Sequence, residues 1–169
     1  MPSTLPKPTP ETQTDPGCKK CSAKKCVVCE YNLKETSKFQ SINTGITYTI
    51  RDSVSCKSSD LIYLIDCDKC KKTQYVGETG QTLQKRFHAH RSDIKRKTNE
   101  HKKDQSFLKK ETLVAKHFQT ENHTLEDMRV TVIELIKAQD ANTCIRKKRE
   151  RFWRHKLKTN YPQGLNVWD

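Results

Sequence analysis

No stretch of this sequence approaches the roughly 20 apolar residues needed to cross a bilayer. Behind the polar, proline-rich start MPSTLPKPTP there is no apolar segment of the kind a secretory signal carries. The expectation is a chain with no membrane partner and a nuclear or cytoplasmic setting. There is no internal repeat, so no repeat architecture, and no polymerase motif. Apolar residues are also scarce. They make up 33% of the 169 residues, and charged residues make up 31%. A core built from so few apolar side chains is small, and other restraints must help hold it.

Cationic charge is abundant. Lys and Arg number 33 against 20 Asp and Glu, a formal charge of +13. A domain that basic repels itself unless a polyanion neutralises it, and nucleic acid is the common partner. Cysteine is abundant too, with eight residues, six of them in the pairs Cys18/Cys21, Cys26/Cys29 and Cys67/Cys70. In a reducing compartment such pairs point to metal rather than to disulfides. Cys56 and Cys144 stand apart from the pairs.

Along the chain, residues 1–17 hold five of the six prolines and read as a linker or disordered arm. Residues 18–59 read as a cysteine-rich zinc knuckle and connector, with one β-branched strand candidate at Gly45–Ile50. The pattern sharpens over residues 60–169. Leu61–Cys67 reads as a strand, Gln74–Glu78 as a second, and their short polar link implies an antiparallel hairpin. Thr82 is placed to cap a helix running to about Lys97. Lys95–Lys110 reads as a helix end and exposed loop, and Thr112–Thr120 as a short helix. Arg129–Lys137 reads as a strand, and Asn142 caps a last helix to about Lys158 with Ile145, Phe152, Trp153 and Leu157 near helical spacing. Tyr161–Gly164 breaks that helix. The order β-β-α-(α)-β-α gives an α+β fold, a small antiparallel sheet of about three strands flanked by helices.

Three features carry candidate chemistry. Tyr63 and Tyr75 lie on neighbouring strands, where a hairpin can bring both phenols to one face. Taken alone, strand tyrosines are packing residues. Arg86 and His90 are four apart on the first helix and share a face. Glu150 sits among cations in RKKRERFWR, either ion-paired or a metal carboxylate held close to phosphate-binding charge.

Together these residues resemble the GIY-YIG nuclease domain over Asp60–Asp169. The first signature stands here as Leu61-Ile62-Tyr63, with Leu in place of glycine, and the second as Tyr75-Val76-Gly77. The helix motif matches Arg86 and His90, the acidic motif Glu150 and Trp153, and the late asparagine Asn166. The resemblance implies a GIY-YIG fold and a divalent-metal-dependent endonuclease acting on DNA. Tyr63, Tyr75, Arg86, His90, Glu150 and Asn166 would be the catalytic residues. Glu150 would hold Mg²⁺ or Mn²⁺, Arg86 would clamp the scissile phosphate, and Tyr63 would be the general base or a relay to water. A phenol with an ordinary pKa near 10 suits that role only if Arg86, the metal or Lys72 lowers it.

Within the family, the two cysteines between the tyrosine motifs and the later His pair resemble the endonuclease domain of Penelope-like retroelements. That resemblance makes Cys67, Cys70, His117 and His123 the ligands of a structural Zn²⁺, a set with plausible tetrahedral chemistry. Cys18, Cys21, Cys26 and Cys29 read as a second zinc knuckle, with one pair plus Cys56 as the other reading. Lysines at 19, 20, 24 and 25 make it basic. His101 and His155 read as surface residues and Cys144 as a packing residue of the last helix.

The leading functional reading is an endonuclease that nicks target DNA for retroelement integration. A reverse transcriptase domain, or its template RNA, is then a partner. The charge alone does not separate DNA from RNA; the resemblance supplies DNA. The competing class is a catalytically silent, zinc-containing nucleic-acid-binding module. A third, a zinc-ribbon protein-interaction domain, expects no salt-sensitive nucleic-acid affinity.

Overall fold

The computed structural model describes residues 15–96, 112–120 and 122–168. Most of the proline-rich arm, most of the Lys95–Lys110 segment and His101 lie outside those residues. Among the described residues, strands and α-helices follow in chain order as β1 (Gly17–Lys19), β2 (Lys38–Gln40), β3 (Thr47–Thr49), β4 (Ser53–Ser55), β5 (Leu61–Cys67), β6 (Gln74–Thr79), α1 (Leu83–Arg96), α2 (Leu113–Gln119), β7 (Met128–Leu135) and α3 (Thr143–Leu157).

The central sheet is antiparallel in the order β6-β5-β7. β5 is buried along nearly its whole length, which is why LIYLI reads as a continuous apolar run rather than an alternating one. Tyr63 pairs with Gly77 and Ile65 with Tyr75, so the two tyrosines share one face of the hairpin. On the other flank, Tyr63 pairs with Val132 while Ile62 pairs with Glu134, leaving a bulge beside Tyr63. The helices begin where the capping residues predict. The Thr112 hydroxyl accepts from the Ala115 amide, and the Asn142 side chain accepts from Ile145. α1 buries Leu83, Phe87, His90 and Ile94, a stripe at helical spacing.

Two small sheets, β1-β4 parallel and β2-β3 antiparallel, are built by residues 17–55. They belong to the same hydrophobic core as the central sheet. Leu33 bridges to Val130, the Lys34 amide donates to the Val130 carbonyl at 2.9 Å, and Asn32 Nδ2 donates to the Leu125 and Met128 carbonyls. Phe39 and Tyr48 of the β2-β3 hairpin stack on one another and meet the edge and face of Trp153 on α3. Two details differ from the helical-spacing expectation for α3. Phe152 is exposed, with Arg149 and Lys156 cations over its ring. Cys144 is exposed rather than packed. Both face away because the helix buries the stripe through Arg154 and Leu157 instead. His155 is exposed, as expected.

Candidate active site and metal clusters

Tyr63 is fully buried at the centre of β5, under a cleft of about 860 Å³ lined by Tyr75, Arg86, His90, Glu150 and Asn166 among others. α1 follows the hairpin directly and lays Arg86 and His90 against the tyrosine face. Arg86 Nε donates to the Tyr63 hydroxyl at 2.9 Å, and that hydroxyl lies 2.8 Å from His90 Nε2. Arginine can only donate. The phenol oxygen therefore accepts from Arg86, and the same hydroxyl is shared with the His90 ring nitrogen. Burial, and then the Arg86 charge, push the pKa of His90 down to about 3. The ring is neutral and able to accept.

The tyrosines titrate in the opposite sense to the one general-base chemistry needs. Burial, then neighbouring Tyr75, hold the Tyr63 hydroxyl well above the ordinary phenol range, and Arg86 offsets only part of that rise. Tyr75 is raised by burial and then by the Glu150 carboxylate. Lys72, suggested from sequence as an auxiliary cation, is exposed in the β5–β6 turn beside the Cys67/Cys70 pair and does not line the cleft.

Gly77 explains the second tyrosine signature. A Cβ there would run into Cζ and the hydroxyl of Tyr63 and come within 2.8 Å of Tyr75 Cε1. Only a residue without a side chain lets the two phenols sit over β6. Asn166 has an equally specific task. Its Oδ1 accepts from the Val76 amide at 2.9 Å and its Nδ2 donates to the Val76 carbonyl at 2.8 Å. The side chain so occupies the open hydrogen-bonding edge of β6 between Tyr75 and Gly77. Asn166 thus acts through its neighbours as a positioning residue.

Glu150 reaches the cleft from α3, which packs along β6 and is pinned to the sheet by ion pairs. Arg146 bonds Asp60 at 2.7 Å and Glu78 at 2.8 Å. Arg149 bonds Glu134 at 2.8 Å, and Trp153 Nε1 donates to the same carboxylate. The aromatic residue three positions after Glu150 therefore fixes the turn on which Glu150 stands. Sequence reasoning missed Glu134, which reads as an ordinary strand-end acid, and Arg154, a buried cation on the cleft wall. Arg154 Nε donates to Asn160 Oδ1 at 3.0 Å and Nη2 donates to the Val167 carbonyl, tying the segment after α3 to the helix.

Two clusters of metal-ligand type stand outside the cleft. The ligand atoms of Cys67, Cys70, His117 and His123 all lie within 4.8 Å of one another. Cys70 Sγ is 3.6 Å from His117 Nε2, close to the edge of a tetrahedron with Zn–S of about 2.3 Å and Zn–N of about 2.1 Å. His123 Nε2 is buried with no protein partner, while Nδ1 lies 3.3 Å from the Thr120 hydroxyl. An orphaned imidazole nitrogen facing two thiols fits a metal ligand. Burial opposes thiolate formation at Cys70, but the hydrogen bond from the Lys72 backbone and the neighbouring His123, Thr73 and Cys67 side chains outweigh it and bring the thiol down to about 7.

The second cluster corrects the sequence expectation. Its members are Cys21, Cys26, Cys29 and Cys56, with Sγ–Sγ separations of 3.4 Å (Cys29–Cys56), 3.6 Å (Cys26–Cys56) and 3.7 Å (Cys29–Cys21). Cys18, expected as a ligand with Cys21, lies on β1 in the core. Burial drives its pKa up to about 11, as befits a packed thiol. Parallel pairing of β1 with β4 sets Cys18 beside Val54, so Cys21 and Cys56 emerge from the same end of the pair. Four thiols at these separations suit a tetrahedral Zn²⁺.

The small antiparallel sheet thus buries a tyrosine beneath a cleft that carries an arginine, a neutral histidine and a carboxylate. The GIY-YIG catalytic domain model matches residues 60–166, well over half of the chain. The protein therefore belongs to the GIY-YIG family, and its domain is that of a nuclease acting on nucleic acid, in a family whose members are generally metal-dependent. No curated protein and no solved structure matches the chain.

Proposed function

We propose that the protein is a divalent-metal-dependent DNA endonuclease of the Penelope-like retroelement type, which nicks target DNA in the nucleus to expose a priming 3′ hydroxyl. The carrying observation is the convergence of Arg86, His90 and Glu150 on one cleft, with the buried Tyr63 hydroxyl bonded to Arg86 and 2.8 Å from His90 beneath it. The retroelement reading is supported by the Cys67/Cys70 and His117/His123 set around the tyrosine motifs. In that setting a reverse transcriptase supplies the polymerisation that this sequence lacks.

The donor set fits a cation that keeps several waters and takes one carboxylate plus phosphate oxygens, as Mg²⁺ does. Glu150 would hold it, and the bound ion would supply Lewis-acid stabilisation to the leaving oxygen. The chain's own residues do the rest. Arg86 neutralises and orients the scissile phosphate with the donors not spent on Tyr63. Tyr63 orients the attacking water rather than taking its proton: burial keeps the phenol protonated, and with its pKa down to about 3 the His90 imidazole is too weak a base to receive a relayed proton. The water's proton leaves to solvent through the open cleft as the phosphate held by Arg86 is attacked.

The test is plasmid nicking by the purified, zinc-loaded chain with and without added Mg²⁺, beside Glu150→Gln. The expected result is nicking that requires Mg²⁺ and is lowered at least about 10²-fold by Glu150→Gln, with DNA affinity retained. Nicking at the wild-type rate by Glu150→Gln refutes the proposal. DNA binding without any nick supports a silent binding module instead.

A further inference from the structure

A single exposed aromatic ring is ordinary, but two of them on the wall of one cleft leave apolar faces where a ligand can cover them. Tyr161 and Trp168 are 56% and 67% exposed, and both line the active-site cleft. Neither position depends on a flexible side chain alone. The indole Nε1 donates to the Tyr161 carbonyl at 2.6 Å, which orients the ring while leaving its faces open. The backbone beneath is fixed at several points. The Tyr161 amide donates to the Asn166 carbonyl at 2.7 Å, and the Leu165 amide donates to the Gln74 carbonyl of β6 at 2.9 Å. The Val167 carbonyl, next to Trp168, is taken by buried Arg154. The two rings therefore form a preset aromatic lip, attached on one side to β6 beside Tyr75 and on the other to α3 one turn beyond Glu150.

The chemistry around this lip selects its occupant. The same cleft carries the side chains of Arg86, Lys116, Lys147 and Arg151, and among the described residues its acids are Glu150 and Asp93. A lipid or an apolar peptide matches the rings but not the cations. A nucleic-acid strand offers phosphates for the cations and flat π-faces for the rings. A base inside a continuous duplex is already stacked on both faces, so the lip can engage only a base that has left the stack.

We propose that Tyr161 and Trp168 form a stacking site for an unpaired base of the DNA substrate next to the scissile phosphate, giving the enzyme a preference for frayed, flapped or otherwise unpaired targets. This rests on the nuclease reading of the cleft and adds a substrate class to it. The test uses the full, zinc-loaded chain in the Glu150→Gln background without added Mg²⁺, so that only binding is read. The probes are two oligonucleotides bearing 2-aminopurine, one a duplex with the fluorescent base in a short flap, the other with the same base fully paired.

The parent binds the flap about tenfold more tightly than the duplex, with a change in 2-aminopurine emission. Trp168→Leu, which keeps an apolar side chain, loses about that factor on the flap and nothing on the duplex. Trp168→Phe keeps most of the preference. Tyr161→Leu, at an exposed position, gives an independent second reading in the same direction. Equal affinities for both probes in the parent overturn the proposal, as does a loss from Trp168→Leu that is the same on both. Failure of the wild-type protein to nick any DNA is a separate result, which overturns the nuclease reading whatever the binding contrast.

Discussion

Replacing Gly77 by alanine adds one methyl group to a site with no room for it. The new Cβ would overlap Cζ and the hydroxyl of Tyr63 and crowd Tyr75 Cε1 at 2.8 Å. Carbon contacts settle at about 3.5–4.0 Å, so the Tyr63 ring must retreat by about an ångström. It is fully buried and held at 2.9 Å by Arg86 and 2.8 Å by His90. A retreat of that size breaks both hydrogen bonds, and if the ring stays, the strands must part instead. Overpacking of this kind costs about 1–3 kcal/mol, and losing the two bonds costs a similar amount. A net loss of about 3 kcal/mol leaves a typical domain folded and lowers its urea midpoint by about 1.5 M at a slope of about 2 kcal/mol/M. Nicking, which depends on the placement of Tyr63, falls by about 10²-fold. Urea unfolding and plasmid nicking of Gly77→Ala read both effects. A double-mutant cycle with Tyr63→Leu isolates the cause: once the ring is gone, Gly77→Ala should cost far less. Additive penalties in that cycle would show that the methyl clashes elsewhere, and the account of the second tyrosine signature would fail.

Elemental analysis should find two zinc ions per chain, falling to one in Cys56→Ser and staying at two in Cys18→Ser, since only Cys56 belongs to the cluster; the reverse pattern would make Cys18 the ligand. Thermal melts should fall much further in His123→Ala or Cys67→Ser than in Glu150→Ala, because the first two open a metal cluster and the last a solvated cleft wall; three equal melting temperatures would remove the structural zinc. Asn166→Asp keeps the acceptor for the Val76 amide but turns an oxygen toward the Val76 carbonyl, so it should lower stability by about 2–4 kcal/mol in denaturant titration. A neutral result would mean that the edge of β6 needs no donor.

Elements with a strong period or a clear cap are legible in the residues themselves. Leu61–Cys67, α1 and α3 fall where apolar spacing, Thr82 and Asn142 place them, because short-range patterns govern short-range structure. Features decided by pairing over long distances are not legible in that way. The sequence offers Cys56 only as the alternative beside one pair; the parallel β1-β4 contact, across 27 residues from Cys29, decides for it and turns Cys18 inward. The direction of the Tyr63 shift is unreadable from spacing for the same reason, since burial of a β5 residue depends on everything packed over it. Tyr161 reads from sequence only as part of a helix stop; the attachment of its segment to β6 and α3 sets it and Trp168 on the cleft wall.

α1 is held at both ends by segments that carry the metal-ligand clusters. At its start, the Gln84 amide donates to the Cys56 carbonyl at 2.9 Å, and at its finish Gln119 of α2, the helix bearing His117, donates to the Ile94 carbonyl at 2.8 Å. The guanidinium and imidazole that serve the cleft thus ride on a beam suspended between two clamps. A copy synthesised while zinc is scarce would leave the beam loose, with its guanidinium and imidazole out of register until both clamps had closed.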